Sequence, residues 1–483
     1  SQESNENKWV EAYRDNFPGN ALYEINAGSA SNQQNSGSAS EWALASFFGR
    51  INYSFKDRYL VELNARYDGS SRFPKNNRWG FFPSVSGGWI ISQEDFFNVS
   101  VMNNLKLRAS WGTLGNQNIG DYPYQQVIAL GINAPFGVSE VLQPGAAATT
   151  VPSTNITWES TEVVNVGADV GLFNNKLTFT VDYYFKETSD ILYNVTASKI
   201  LGMTPSVQNA GTVVNKGLDL SIQHRNVIGD FSYGITANVS YVKNRVKKLA
   251  NVEKDIAGGL FLDYSLKSIY GYVTDGFFNS QEEIDNYAKQ PRTAKPGDLK
   301  LVDISGPDGV PDGVVNADYD RKIIGDQFPN YNFGLNINAS YKNVDFLLNM
   351  SGVAGMNRLI EGYQGNAFYW GSNPQEWMVE GRWTDTNHNA TYPRMLVLGG
   401  GEQQFYTSTY RVANASFLRI NDIQLGYTFP SSMIHFLGMS NLRVYASIKN
   451  LATFHSYLDG WDPERTSMYP AVRDFMAGIS ITF

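Results

Sequence analysis

The segment of residues 330–341, NYNFGLNINASY, decides the fold class. Its odd-numbered positions carry tyrosine, phenylalanine, leucine, isoleucine and alanine, and its even-numbered positions carry asparagine, glycine and serine. Because successive side chains of a β-strand point to opposite faces of the sheet, this alternation predicts an extended strand. One face of the strand is apolar with a tyrosine at each end, and the other consists of amides, hydroxyls and glycine.

The same alternation recurs along most of the chain and holds for about ten residues at a time. The clearest further examples are residues 59–68, 177–186, 231–241 and 475–483. A strand of about ten residues, tilted by ~45°, crosses the apolar core of a bilayer, whereas soluble strands centre on about five or six residues. Tyrosine and phenylalanine tend to close the apolar face at its ends, as aromatic girdles at two membrane interfaces require.

The connectors between these segments alternate in length. The short ones are residues 56–58, 95–104, 174–175, 227–229, 343 and 431–440. The long ones are residues 120–155, 194–211, 248–328, 360–415 and 458–469, and residues 72–78 are a modest exception. A soluble β-sandwich also alternates in side-chain polarity, but short turns on one side and long loops on the other are typical of an outer-membrane barrel. We therefore predict an all-β fold, a transmembrane antiparallel β-barrel.

Composition excludes several classes of function. The net charge of −8 leaves no basic stripe for nucleic acid, and the absence of cysteine excludes disulfides and thiolate metal sites. No apolar run approaches the roughly 18 residues of a spanning helix. The four histidines are scattered without metal-ligand spacing, and no pair of carboxylates is placed for acid–base chemistry. We therefore predict that the chain is not an enzyme.

The alternation gives about thirteen strands between residues 44 and 483, and residues 1–43 are assigned to an extracellular loop segment. A bacterial single-chain barrel has an even number of strands, and an open sheet edge cannot face lipid. We therefore expect the remaining strands to lie outside this chain. Residues 44–55 and 470–483 are each expected to pair on one side with a segment outside these residues.

Several stretches resemble the SusC/RagA family of TonB-dependent outer-membrane transporters from Bacteroidota. They are ASFFGRINYSFKDRYLVELNARYDGSSRFPKNNRWGFFPSVSGGWIISQEDFF (45–97), LKLRASWGTLGNQNIG (105–120), GYVTDGFFNSQEEID (271–285), DGVVNADYDRKIIGDQFPNYNFGLNINASYKN (312–343), GRWTDTNHNATYPRM (381–395), FLRINDIQLGYTFP (417–430) and AGISITF (477–483). The resemblance extends over nearly the whole chain in the same order.

The resemblance implies a barrel of about 22 strands around a plug, of which this chain is the C-terminal part without the plug. It further implies location in the cell outer membrane of a Gram-negative bacterium. Energy is expected to come from TonB through the N-terminal part that this chain lacks, and a SusD-like lipoprotein is expected to cap the extracellular mouth. The implied function is the import of oligosaccharides or peptides.

Two other functions are compatible with an alternating all-β chain. A TonB-dependent siderophore or cobalamin receptor would bind a small chelate instead of an oligomer, although the large loops and the stretch NATYPRM (389–395) disfavour it. A secreted, soluble β-rich protein that binds carbohydrate would purify without detergent, which distinguishes it from both receptors.

An acidic segment at residues 303–320, DISGPDGVPDGVVNADYD, resembles a calcium loop, in which oxygen ligands occupy alternate positions around a turn glycine, here Gly313. The candidate ligands are Asp308, Asp312, Asn316, Asp318 and Asp320. The match is incomplete, because Val310 occupies a position usually given to Asp or Asn and the last acidic residue is displaced by one. A structural calcium and a solvated acidic turn therefore both fit, and no other cofactor is expected.

Aromatic side chains crowd the connector 360–415 and are interleaved with amides. The candidate contacts for substrate or partner are Tyr363, Phe368, Tyr369, Trp370, Trp377, Trp383 and Asn389. Aromatic faces beside amides suit sugar rings and peptide backbones equally well, and the same rings could instead pack the loop against itself.

Overall fold

The computed structural model describes residues 1–193, 200, 202–250, 252–256, 258–397, 405–464 and 469–483. The predicted long loops 194–211, 248–328 and 360–415 therefore lie partly outside the described residues.

In the described part of the chain, fourteen strands form one antiparallel sheet, and their order in the sheet follows their order in the chain. They are β1 (Gln2–Tyr13), β2 (Gln34–Phe55), β3 (Tyr59–Ser70), β4 (Trp79–Ile90), β5 (Met102–Asn116), β6 (Glu159–Leu172), β7 (Leu177–Tyr193), β8 (Gln208–Ile228), β9 (Phe231–Leu249), β10 (Tyr331–Tyr341), β11 (Val344–Ala354), β12 (Phe417–Thr428), β13 (Asn441–His455) and β14 (Asp474–Thr482). The predicted all-β fold is confirmed.

The strand count from the sequence is one too low among the described residues. Residues 1–43, assigned to a loop, contain all of β1, which pairs with β2 from Gln2 opposite Ala45 to Tyr13 opposite Gln34. We expected residues 44–55 to pair with β3 on one side and with a segment outside these residues on the other. At Leu44 and Ala45, β1 occupies that other side. The sequence signal was absent because the first seven residues of β1, QESNENK, are polar on both faces, so this part of the strand pairs through backbone groups without any period of two.

Long and short connectors alternate in the structure as they do in the sequence, with residues 71–78 as the exception. The connectors at one end of the strands are residues 56–58, 91–101, 173–176, 229–230, 342–343 and 429–440. Those at the other end are residues 14–33, 71–78, 117–158, 194–207, 250–330, 355–416 and 456–473. The end with the short connectors is called the short-turn end below.

The register of the strands gives each face of the sheet one chemical character. Ile337 of β10 lies opposite Ile235 of β9 and Leu348 of β11, and the row continues through Ile423 and Ile448. Side chains directly opposite each other lie on the same face, so this row is apolar across five strands.

The other face of the same strands is polar. Asn336 lies opposite Thr236 and Asn349, and its amide donates a hydrogen bond to the Asn349 side chain. The hydroxyls of Ser232 and Ser340 lie 2.7 Å apart across β9 and β10. The alternation in residues 330–341 is therefore a property of the sheet and not of one strand.

The chain divides into two compact units. The first comprises residues 1–88, 109–164 and 186–213, and the second comprises residues 89–108, 165–185 and 214–483. In the first unit, Phe73 and Phe82 pack against Trp158, with ring centroids 5.0 Å and 5.4 Å apart, and Ile119 and Ile156 complete this core.

The α-helices of the described residues are short: α1 (Gln281–Asp285), α2 (Glu376–Gly381) and α3 (Ser431–Ile434). Among the described residues, no helix has both the length and the apolar character needed to cross a bilayer.

Candidate functional site

The described residues of the connectors 250–330 and 355–416 pack together in the second unit, and we call them the loop body. Two small antiparallel pairs shape the first connector: Ser268–Tyr272 with Arg321–Asp326, and Thr274–Phe277 with Leu299–Leu301. Their buried core of Tyr272, Leu299, Leu301 and Val315 is covered by Tyr406 and Tyr410 of the second connector. The loop body therefore has a hydrophobic core of its own.

Polar contacts also join the two connectors. The Trp383 indole donates a hydrogen bond of 3.0 Å to the Asn279 side chain. The Arg394 guanidinium donates two hydrogen bonds to the Asp298 carboxylate, at 2.6 Å and 3.2 Å, and Asp298 is buried. Bidentate pairs of this kind fix geometry as well as contributing energy.

Buried ionisable groups lie deeper in the loop body. Arg411 donates to the Ile360 carbonyl oxygen from Nε at 2.9 Å and from Nη2 at 2.6 Å. Burial lowers the pKa of its guanidinium. Burial also raises the pKa of the Tyr392 and Tyr410 phenols, so both stay neutral across the physiological range. These groups are structural, because each is packed inside the connector.

The side chains of Ser280 and Glu283 cap the N-terminus of the short helix α1. Ser280 accepts a hydrogen bond from the Glu283 backbone N–H at 3.1 Å, and the Glu283 carboxylate accepts one from the Asn279 N–H at 2.6 Å. Lys300 lies 2.5 Å from the same carboxylate. Partial burial raises the pKa of Glu283, but the hydrogen bonds from Asn279 and Lys300 outweigh it and leave the pKa below its usual value.

The structure places most of the predicted aromatic contacts inside the loop body. Only 7% of the Trp383 surface is exposed, and its ring stacks on His388. Trp377 meets Tyr392 edge to face, with centroids 5.4 Å apart, and packs with Phe368 against the buried Met378. These rings hold the connector together.

Trp370 differs from every other tryptophan of the chain. Its side chain is 82% exposed, whereas none of the other nine exceeds 49%. Both Phe368 and Trp370 have left-handed backbones, with φ of 58° and 52°. A left-handed backbone on a bulky residue costs of order 1–3 kcal/mol and clusters at ligand sites.

Two tyrosine rings lie near Trp370. Tyr369 lies next to it, with centroids 6.4 Å apart, and meets Tyr363 edge to face at 4.9 Å. Asn389 is exposed. Of the predicted contacts, Trp370 and Asn389 thus offer the most open surface.

Gln375 organises these aromatic rings, a role that the sequence did not indicate. Its side-chain oxygen accepts hydrogen bonds from the indoles of Trp377 at 3.0 Å and Trp461 at 2.8 Å. Its amide nitrogen donates to the Tyr363 carbonyl oxygen at 2.5 Å. Because Trp461 belongs to the connector 456–473, no local pattern could have revealed the contact.

In the acidic loop, the Asp320 carboxylate is fully buried and accepts three backbone hydrogen bonds. The donors are the N–H groups of Ile304 at 2.8 Å, Ser305 at 3.2 Å and Asn316 at 2.7 Å. This carboxylate therefore organises the turn through the backbone.

The other candidate calcium ligands either accept backbone hydrogen bonds, as Asp320 does, or are exposed. The Asn316 side-chain oxygen accepts from the Asp318 N–H at 2.9 Å, and Asp312 accepts from the Val314 N–H at 3.0 Å. Asp308 and Asp318 are exposed. Within the described ranges, no three Asp, Glu, His or Cys side chains form a group that could hold a metal ion. Calcium binding by this loop stays a prediction.

Several charged side chains on the polar face of the sheet are paired. Arg108 binds Asp169 and Asp182 at 2.8 Å and 3.0 Å. Arg443 donates to Asp345 at 2.9 Å and 2.5 Å. The polar face is thus a hydrogen-bonded surface of paired charges, amides and hydroxyls.

Comparison with known proteins gives a consistent result. Residues 2–451 match the family described as TonB dependent receptor-like, beta-barrel. The chain is 32% identical to TonB-dependent receptor P3 of Formosa agariphila, over 94% of this chain and 47% of that protein. It is 32% identical to TonB-dependent receptor SusC of Bacteroides thetaiotaomicron, over 91% of this chain and 44% of that protein.

Among solved structures, the RagAB peptide transporter is similar over the whole chain. The TM-score is 0.83 at 26% sequence identity, and the match covers 100% of this chain and 52% of that one. The chain therefore spans about half the length of the relatives that it matches.

Proposed function

Because this chain belongs to the family of TonB-dependent receptor-like β-barrels, we propose that it works in the import of oligosaccharides or peptides. The observation that carries the proposal is the similarity over nearly the whole chain to SusC and to the RagAB peptide transporter. Family membership also excludes the soluble carbohydrate-binding protein considered from the sequence. The proposal assigns the chain transport and no catalytic step.

The chain is part of an antiparallel β-barrel of the outer membrane. The apolar row through Ile337 faces lipid, and the polar row through Asn336 faces the path of the substrate. This assignment is supported by the register, because lipid solvates apolar side chains but cannot satisfy amides. The remaining strands, the plug and the contact with TonB belong to the part of the relatives that this chain does not match.

A SusD-like surface lipoprotein is the proposed partner, and an exposed hairpin in the first unit supports it. Ile128–Leu130 pairs with Ala146–Ala148, and Ala134–Phe136 pairs with Val141–Gln143. Leu130, Phe136 and Val138 on this hairpin are highly exposed. Exposed apolar patches of this kind mark interaction sites.

Trp370 and Asn389 are the proposed contacts for the oligomer, whereas Trp377 and Trp383 hold the loop body in shape. Trp370→Ala should weaken oligomer binding by about tenfold or more, the loss expected when an aromatic stacking contact is removed. Tyr319→Ala removes an exposed ring from the acidic loop and serves as the matched control. Equal effects of the two variants would contradict the assignment.

Growth experiments test the proposed function. Deletion of the gene in its host should abolish growth on oligosaccharides or peptides too large for general porins and leave growth on monomers unchanged. A growth defect confined to iron or cobalamin limitation would instead establish the chelate receptor considered from the sequence.

A further inference from the structure

A cavity of about 890 Å³ opens on the polar face of the second unit, at the short-turn end. Strand ends meet there: Arg225 from β8, Ser232 from β9, Ser340 from β10 and Asp345 from β11. We call it the short-turn recess.

Small side chains create the space. Gly234 lies beside Asn338, and the Ser232 and Ser340 hydroxyls meet at 2.7 Å. The recess therefore offers hydroxyl and amide groups among larger lining residues such as Tyr233, Phe346 and Leu347.

Two cations enter the recess side by side. The Arg225 backbone N–H donates to the Lys176 carbonyl oxygen at 2.7 Å, which brings the two residues together. Neither side chain forms an ion pair with any residue that the structure describes. Both side chains are exposed within this chain.

The acidic residue that lines the recess does not neutralise them. Asp345 is held by two hydrogen bonds from Arg443, at 2.9 Å and 2.5 Å. Its charge is therefore already compensated. The recess keeps a local positive charge in a chain whose net charge is −8.

We propose that the short-turn recess binds an acidic group, a carboxylate or a sulfate, on the transported oligomer. The planar fork of Arg225 matches such a group bidentately, Lys176 adds a point charge, and Asn338 and the two serines satisfy its remaining oxygens. The inference rests on the proposed import function and extends it, since it assigns a charge preference to the path of the oligomer.

The test uses the purified full-length transporter with its surface lipoprotein. The probe is a pool of neutral, uronate-bearing and sulfated oligosaccharides mixed with neutral and acidic peptides, and mass spectrometry identifies the oligomers that the protein retains. We expect acidic oligomers to be enriched over neutral ones of the same length. Arg225→Gln combined with Lys176→Gln should reduce that enrichment by at least about tenfold, since the loss of even one charge-assisted hydrogen bond has that effect.

Two further variants make the result specific. Lys342→Gln removes a positive charge at the same end of the strands, but its ammonium lies over the Tyr341 ring and outside the recess, so the enrichment should stay. Arg225→Lys keeps the positive charge but loses the bidentate fork, so its enrichment should lie between those of the wild-type protein and the double variant. Thermal unfolding of each complex confirms that the variants fold.

The outcomes separate the inference from the function on which it rests. Retained oligomers without acidic enrichment, or enrichment that survives loss of both cations, would overturn the inference alone. Equal loss of neutral and acidic oligomers would also overturn it, since the cations would then support the protein and not the ligand. A wild-type protein that retains no oligomer would overturn the proposed function as well.

Discussion

The sheet and the loop body place their apolar side chains in opposite environments. In the middle of the sheet, Ile235 and Val239 of β9 are still 36% and 42% exposed, because the apolar face has no protein layer upon it. In the loop body, Leu299, Leu301 and Met378 have no accessible surface. The sheet therefore depends on lipid as its apolar solvent, whereas the loop body carries its own core and is built like a water-soluble domain.

The largest expected effect comes from a charge on the apolar face of the sheet. Leu335→Arg places a charge on the apolar face near the middle of β10, and it should destabilise the full-length protein in lipid by ~2–4 kcal/mol. Reversible unfolding in liposomes measures the change. Asn336→Arg, one residue along and on the polar face, is the control and should cost less. Equal costs at the two positions would contradict the division into faces.

The next largest effect concerns the acidic loop of the loop body. Asp320→Ala leaves three backbone N–H groups without their acceptor, which should destabilise the acidic loop by about 1–3 kcal/mol. Hydrogen exchange should rise in residues 303–320 and stay unchanged in β10. Asp318→Ala removes an exposed carboxylate and should have little effect.

The same measurement tests calcium binding at this loop. If calcium is bound, a chelator should raise exchange in residues 303–320 of the wild-type protein, and added calcium should reverse it. If neither addition changes hydrogen exchange in residues 303–320, the carboxylates of this loop only accept hydrogen bonds from the backbone and do not bind calcium.

A smaller effect tests the joint between the connectors 250–330 and 355–416, by which we mean the contact of Trp383 with Asn279. Trp383→Phe keeps an aromatic ring but loses the hydrogen bond to Asn279, so it should destabilise the joint by about 0.5–1.5 kcal/mol. Hydrogen exchange near residue 279 should rise. Trp370→Phe changes an exposed ring and should leave that exchange as it is; a rise with both variants would contradict the joint.

The smallest effect concerns pH. The folded pKa of Glu283 lies below its ordinary value near 4.5, so the ionised carboxylate stabilises α1 above that pH. This stabilisation is lost as the pH falls through the folded pKa. Pepsin cleavage near α1 should therefore increase between about pH 5 and pH 3, and Glu283→Gln should make the cleavage less dependent on pH. A pH profile shared by the variant and the wild-type protein would exclude this role.

The sequence predicted the sheet because a membrane strand sorts its side chains residue by residue, as in residues 330–341. It missed β1 because that strand begins with polar residues on both faces and pairs through its backbone. The aromatic residues of the connector 360–415 were visible in the sequence, but their burial was not. It depends on partners far away in the chain, such as Asn279 for Trp383 and Trp461 for Gln375.

The most direct test of the division into faces is a cysteine scan of β10. These 483 residues contain no cysteine, so a single cysteine at each of residues 332–340 can carry a spin label once any cysteine in the rest of the full-length protein is replaced. We expect accessibility to oxygen in the lipid to peak at positions 333, 335, 337 and 339, and accessibility to a water-soluble nickel chelate to peak at positions 332, 334, 336 and 338. Profiles that rise and fall together, or that show the reverse alternation, would contradict a sheet with one face in lipid and the other towards the substrate path.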